Sequence, residues 1–247
     1  MLKVDFHSHS HFSLCGLHSV LEMLTAAKNK GLAALAITDH GSMLKGSIPS
    51  TFFDRLFDPV PGIRLLKGME CNIAGDNGEI DFPMRYLPWV DIVLLGLHPH
   101  LPKKQTAQHN TGLLLKALEK NPFVDIVTHP EDVEYPVDFK DVSLFAKEHG
   151  IALECNNSKI LNNRVSKELM MEYLNVCKDI GCLIAINSDA HAIGEIGLDD
   201  SVRPLLQTVG FPENRIVNRN AHSAFEFLET RRAVKKEILA HTLNQGK

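Results

Sequence analysis

The stretch FHSHSHFSLCGLH at residues 6–18 crowds His7, His9, His11, His18 and Cys15 into one short passage. Imidazole is costly to bury without a partner, and it is the commonest protein ligand for transition metals. His7 and His9 stand two residues apart. On an extended segment such residues face the same way, so both rings can reach one ion. Asp189 and His191 in NSDAH repeat that spacing with a carboxylate and an imidazole. Such mixed nitrogen and oxygen donors suit zinc, manganese or iron better than a soft copper(I) site.

Seven apolar runs must position these residues: 4–6, 34–38, 63–71, 91–98, 124–130, 151–157 and 182–191. Each reads as a buried parallel strand. Nearly every one ends in a metal-capable residue: His7 and His9, then Asp39 and His40, Glu70, His98, His129, Glu154 with Asn156, and Asp189 with His191. Helical patterns at 20–31, 110–120, 137–150, 164–181 and 201–210 alternate with the runs. The segment 42–62 reads as a long loop with a short helix, GDNGEI at 75–80 as a small hairpin, and IVN at 216–218 as a last short strand. A helix from AFEFLETRRAVKKEILAHTL closes the chain, with RRAVKKE as its solvated face. Strand–helix alternation in this length predicts an α/β protein closed into a barrel, whose strand C-termini all lie at one mouth.

The composition narrows the function. The chain has 247 residues, 44% hydrophobic and 23% charged, with no linker or repeat, which predicts a single domain over 1–247. A net charge of −4 supplies no basic field for long nucleic acid. No apolar run reaches membrane-spanning length, and MLKVDFHSHS lacks the apolar core of a signal peptide. The five cysteines are odd in number and scattered, so reduced thiols in a cytoplasmic protein are expected. Cys71, Cys155, Cys177 and Cys182 read as small buried apolar residues. Thirteen histidines against twelve phenylalanines set the chain apart.

HSH at 7–9, ITDHG at 37–41, Glu70, GLH at 96–98, THP at 128–130, LECNNS at 153–158 and NSDAH at 187–191 together resemble the PHP (polymerase and histidinol phosphatase) superfamily, in particular its YcdX-like phosphatases. The resemblance runs in register along almost the whole chain. It implies a distorted (β/α)7 TIM-like barrel, three divalent ions, usually zinc with manganese or iron as alternatives, and hydrolysis of phosphate esters. Carried over, the first ion takes His7, His9, Glu70 and Asp189. The second takes His40, His191 and a donor at position 15, and the third takes Glu70, His98 and His129, with Glu70 bridging. Position 15 is a histidine in YcdX-like relatives and Cys15 here. A thiolate is a competent zinc ligand, so Cys15 is expected to serve, with His18 as the alternative. Arg164 aligns with an arginine of the relatives and is the candidate phosphate ligand, ahead of Lys159.

The expected activity is hydrolysis of a small phosphomonoester by a metal-activated hydroxide. A histidinol-phosphate phosphatase, a phosphodiesterase or nuclease of the same superfamily, and a metal store or sensor are the alternatives. No membrane partner is expected, and a homo-oligomer stays open. Asp39 is expected to orient the His40 ring. His11, His109, His149, His222 and His241 are expected on the surface, and substrate choice in the loops at 42–62, 99–110 and 157–165.

Overall fold

A computed structural model describes residues 1–103 and 105–245. Lys104 in the 99–110 loop, and Gly246 and Lys247 at the end of the 1–247 domain, lie outside the described residues. The strands are β1 (Val4–Asp5), β2 (Ala34–Ile37), β3 (Arg64–Asn72), β4 (Ile92–Gly96), β5 (Ile126–Val127), β6 (Ala152–Asn156) and β7 (Leu183–Asn187). They pair in sequence order, every pair parallel. A parallel Ser8–Ala190 bridge joins the segments beyond β1 and β7. Below it the Asn218 side chain spans the gap, donating to Val4 O at 3.1 Å and Ile186 O at 2.5 Å and accepting from Ile186 N at 3.0 Å. The sheet is thus a nearly closed, distorted (β/α)7 barrel.

The helices are α1 (Val20–Asn29), α2 (Ser50–Asp54), α3 (Ala107–Lys120), α4 (Phe139–His149), α5 (Asn157–Leu161), α6 (Lys167–Ile180), α7 (Arg203–Val209) and α8 (Ala221–Gln245). Their ends follow local chemistry. Ser19 and Glu22 form a reciprocal capping box on α1, whose Val20, Met23, Leu24 and Ala27 are buried. Thr106 caps α3 and starts it three residues earlier than the apolar pattern suggests. Asp138 and Ser166 cap α4 and α6, which stop at Gly150 (φ 63°) and Gly181 (φ 86°), a backbone conformation that glycine adopts without a Cβ penalty.

The strand period of two separates two cores. Val4, Phe6, Ala34, Ala36, Leu66, Ile92, Leu94, Ile126, Ala152 and Ala185 point inward and meet Ala224, Phe227 and Leu228 of α8, which closes the barrel floor. Leu35, Ile37, Leu65, Val93, Leu95, Leu153, Ile184 and Ile186 belong to the core shared with the surrounding helices. Along one inward row the chemistry changes from apolar to polar: Leu66, Gly68, Glu70 on β3, and Ala152, Glu154, Asn156 on β6.

Two sequence readings change. IVN at 216–218 makes a single bridge, Ile216 to Ile184, because Asn218 uses its side chain rather than its backbone to join the sheet. RRAVKKE is only partly a solvated face, with Ala233, Lys236 and Glu237 exposed. Arg231 and Lys235 are buried on Asp125, at 3.1 Å and 2.5 Å, and fasten α8 beneath the barrel. The hairpin at 75–80 is present, with Ile73 bridged to Ile80.

Candidate metal centre

The polar ends of the inward rows converge at the C-terminal mouth, in a cavity of about 840 Å³. Ser8 faces away from the mouth, donating to Ala36 O at 2.6 Å. The residues on either side of it, His7 and His9, face the same cluster. His7 Nε2, His9 Nε2, Glu70 Oε2 and Asp189 Oδ1 stand close together. Five of the six separations among them are 3.0 Å (His7–His9), 3.3 Å (His7–Glu70), 3.4 Å (His7–Asp189), 3.4 Å (His9–Glu70) and 3.2 Å (His9–Asp189). A tetrahedral ion with ligands at 2.0–2.1 Å sets its ligand atoms about 3.3 Å apart. The four donors therefore already have the spacing of a coordination shell.

The two Glu70 oxygens face different ways. Oε2 meets His7 and His9 and lies 2.9 Å from His40 Nδ1. That contact lacks hydrogen-bond geometry and leaves the buried His40 nitrogen without a hydrogen-bond partner. Oε1 meets His98 Nε2 at 3.0 Å and His129 Nε2 at 3.2 Å. Cys15, His9 and His40 form another group with mutually close donor atoms. The Cys15 thiol lies beside His191 and His40, whose imidazoles lower its pKa. His191 Nδ1 donates to the Asp189 carbonyl at 2.9 Å, which leaves Nε2 free for a ligand. His18 belongs to none of these groups, and its carbonyl accepts from His11 N.

The electrostatics are those of a site built for cations. Burial would raise the Glu70 carboxyl, but the His7, His98 and His40 imidazoles hold it well below the usual range. Asp189 is held down against the same burial by His7 and His9. Burial opposes charge on His40, yet Glu70 and Cys15 push it up to about 10. His191 reaches about 9 against burial, through Cys15 and Asp189. His9 falls to about 3 and His98 to about 4, chiefly by burial. Cys15 falls to about 7, burial being outweighed by the neighbouring His191 and His40 imidazoles.

Supporting contacts differ from expectation at one place. Asp39 does not orient the His40 ring. Its oxygens accept from Ser10 Oγ at 2.6 Å and Ser13 Oγ at 2.7 Å, so it folds the loop that carries Cys15. Ser13 Oγ in turn accepts from His40 N at 2.9 Å and lies 3.4 Å from His9 Nδ1. Glu195, not singled out in the sequence, accepts from His191 N at 2.7 Å. His129 (φ 33°) and Asp189 (φ 53°) both adopt the left-handed region. For residues other than glycine that is an uncommon conformation, concentrated at functional sites.

On the cavity wall Lys159 is ion-paired with Asp132. Arg164 lines the same cavity, is exposed, and follows Asn163 in a left-handed turn (φ 54°). His11, His109, His149, His222 and His241 are exposed as expected. His100 Nε2 donates to Ile73 O at 2.7 Å, away from the cluster. Among the described residues no helix is long and apolar enough to cross a membrane.

The PHP domain matches residues 5–197. A probable phosphatase of Caldanaerobacter subterraneus subsp. tengcongensis is 33% identical over 236 residues, covering 94% of this chain and 92% of the relative. One from Caldicellulosiruptor bescii is 36% identical over 231 residues, covering 92% and 96%. Among solved structures, histidinol phosphate phosphatase from Lactococcus lactis subsp. lactis, in complex with zinc, L-histidinol and phosphate, superposes with a TM-score of 0.66 at 16% identity, over 85% of this chain and 94% of that one. At that identity the likeness speaks for the fold. Motifs, barrel and full-length relatives agree, and the chain belongs to the PHP domain family.

Proposed function

We propose that this chain hydrolyses a small phosphomonoester at a site of three divalent ions, zinc foremost. Family and relatives together make it a metal-dependent phosphatase. The proposal concerns the ions, their ligands and the substrate. His7, His9, Glu70 and Asp189 would hold the first ion, His40, His191 and Cys15 the second, and Glu70, His98 and His129 the third. Divalent ions there would acidify water so that hydroxide is available to attack phosphorus near neutral pH, and would supply positive charge for the phosphate oxygens. The observation that carries this reading is the near-tetrahedral spacing of His7, His9, Glu70 and Asp189, with the second Glu70 oxygen turned to His98 and His129.

The chain's own residues then do the rest. Glu70 and Asp189 stay ionised and accept no proton from the substrate. Arg164, exposed on the cavity wall, has the planar donor fork that matches a phosphate. Lys159 is committed to Asp132 and serves the wall rather than the ligand. A single hydrolase domain over 1–247 in the cytoplasm completes the proposal. The test is elemental analysis of purified protein alongside turnover of a panel of phosphomonoesters and diesters. Expected are close to three ions per chain, monoester hydrolysis that scales with metal content, and loss on chelation. Full metal content with no monoester turnover overturns the reading.

A further inference from the structure

Strand β6 supplies none of the proposed ligands, yet Glu154 at its centre is fully buried within reach of the cluster. Its Oε1 accepts from His7 Nδ1 at 2.7 Å and from Asn187 Nδ2 at 2.8 Å. Its Oε2 accepts from the backbone N of His129 at 2.9 Å and from Asn156 Nδ2 at 3.1 Å. The same Asn156 amide donates to Asp189 Oδ2 at 3.0 Å. We infer that Glu154, with Asn156, is the positioning residue of this centre, fixing His7, His129 and Asp189 from three other strands at once.

Each contact has a distinct consequence. The bond to His7 Nδ1 keeps the proton on that nitrogen and turns the Nε2 lone pair towards Glu70 and Asp189. The bond to His129 N restrains the left-handed backbone (φ 33°) that brings this ring to Glu70 Oε1. The Asn156 amide occupies Asp189 Oδ2 and leaves Oδ1 facing His7 and His9. Glu154 therefore links the first and third proposed ion positions by a route separate from the Glu70 bridge. It makes no contact with His40, Cys15 or His191, so the second position lies outside its reach.

The inference rests on the three-ion reading, and the experiment separates the two. Metal-free wild type and Glu154→Gln are titrated with zinc against a chromophoric chelator, then with cobalt(II) while the thiolate-to-cobalt absorption of Cys15 is followed. Outer partners of metal-bound histidine are typically worth 10- to 100-fold in affinity. Glu154→Gln is expected to weaken two of the positions by about that factor and to leave the cysteine–cobalt band and its affinity unchanged. Zinc affinities within twofold of wild type at every position overturn the inference and leave the metal reading standing. Equal loss at all positions, the cobalt band included, means that Glu154 merely supports the fold and also overturns it. A wild type that binds no ion overturns both. Should Glu154→Gln fail to fold, Asn156→Ser decides. Serine can keep the cap that Asn156 gives to Lys159 N while removing the amide from Asp189. Weakened binding confined to the first position supports the inference, and unchanged binding overturns it.

Discussion

At the scale of single residues, the centre is a balance between protons and ions. His7 is pushed well up against burial by Glu154, Glu70 and Asp189, and His40 and His191 rise to about 10 and about 9. A group whose folded pKa is raised stabilises the fold fully below its unfolded value of 6.5, and that contribution is lost as pH climbs through the folded value. The metal-free protein should therefore lose thermal stability progressively from about pH 6.5 up to about pH 9–10. The loaded protein should hold its stability there, because ions replace those protons. Thermal melts of both forms from pH 6 to 10 check this; parallel curves would refute it. Below pH 4.5 the signs reverse: Glu70 and Asp189, held low in the folded state, lose their contribution as they protonate. Cys15 offers a second test. Cys15→Ser removes the thiol whose pKa His191 and His40 lower to about 7 and should lower zinc binding to about two ions per chain, whereas Cys15→His should restore three. Stoichiometry after gel filtration decides.

At the scale of elements, the inward rows explain both the site and the limits of reading it from sequence. His7, His9, Glu70, His98, His129 and Asp189 were legible because each follows a recognisable apolar run, and strand ends in a parallel barrel share a mouth. The role of Glu154 was left open, since a carboxylate two residues after Ala152 reads alike whether it binds an ion or a histidine. Asp39 was misread because its serine partners lie in a loop whose path no periodicity predicts. Row spacing also makes small residues necessary. A Cβ on Gly68 would stand 2.6 Å from Thr38 Cγ2 and 2.8 Å from Ile92 Cγ2, directly below Glu70. Gly68→Ala should cost about 1–3 kcal/mol of stability by overpacking, read by urea unfolding, and should disturb Glu70 enough to weaken zinc. An unchanged midpoint would show that the interior is looser than described.

At the scale of the whole molecule, α8 is the floor on which the barrel stands. Asp125 accepts from Lys235 at 2.5 Å and 2.7 Å, from Arg231 at 3.1 Å and from Val93 N at 2.7 Å, all out of solvent. Sequence alone showed a cationic helix face, because its counter-charge lies more than a hundred positions away. Removing one partner of a buried ion pair leaves an uncompensated charge, typically at a cost of about 3–5 kcal/mol. Asp125→Asn should destabilise the protein by that order in denaturant melts. A loss below about 1 kcal/mol would mean the network is dispensable.

Between its first and last strands the barrel is fastened mainly by side chains. Beside the Ser8–Ala190 bridge, Asn218 joins Val4 to Ile186, Asn187 Oδ1 accepts from Phe6 N at 3.2 Å, and Asp5 accepts from Ser188 N at 3.2 Å and Gly197 N at 3.0 Å. His7 and His9 stand on one side of that join, Asp189 and His191 on the other. An ion held between them, as proposed, would act as a clasp on a ribbon wound almost full circle. During synthesis, the proposed position shared by His7, His9 and Asp189 would be completed only after the seventh strand has left the ribosome. Under the proposed ligand sets, the ion between the first and seventh strands is thus among the last that can bind, after Glu70, His98 and His129 are already in place.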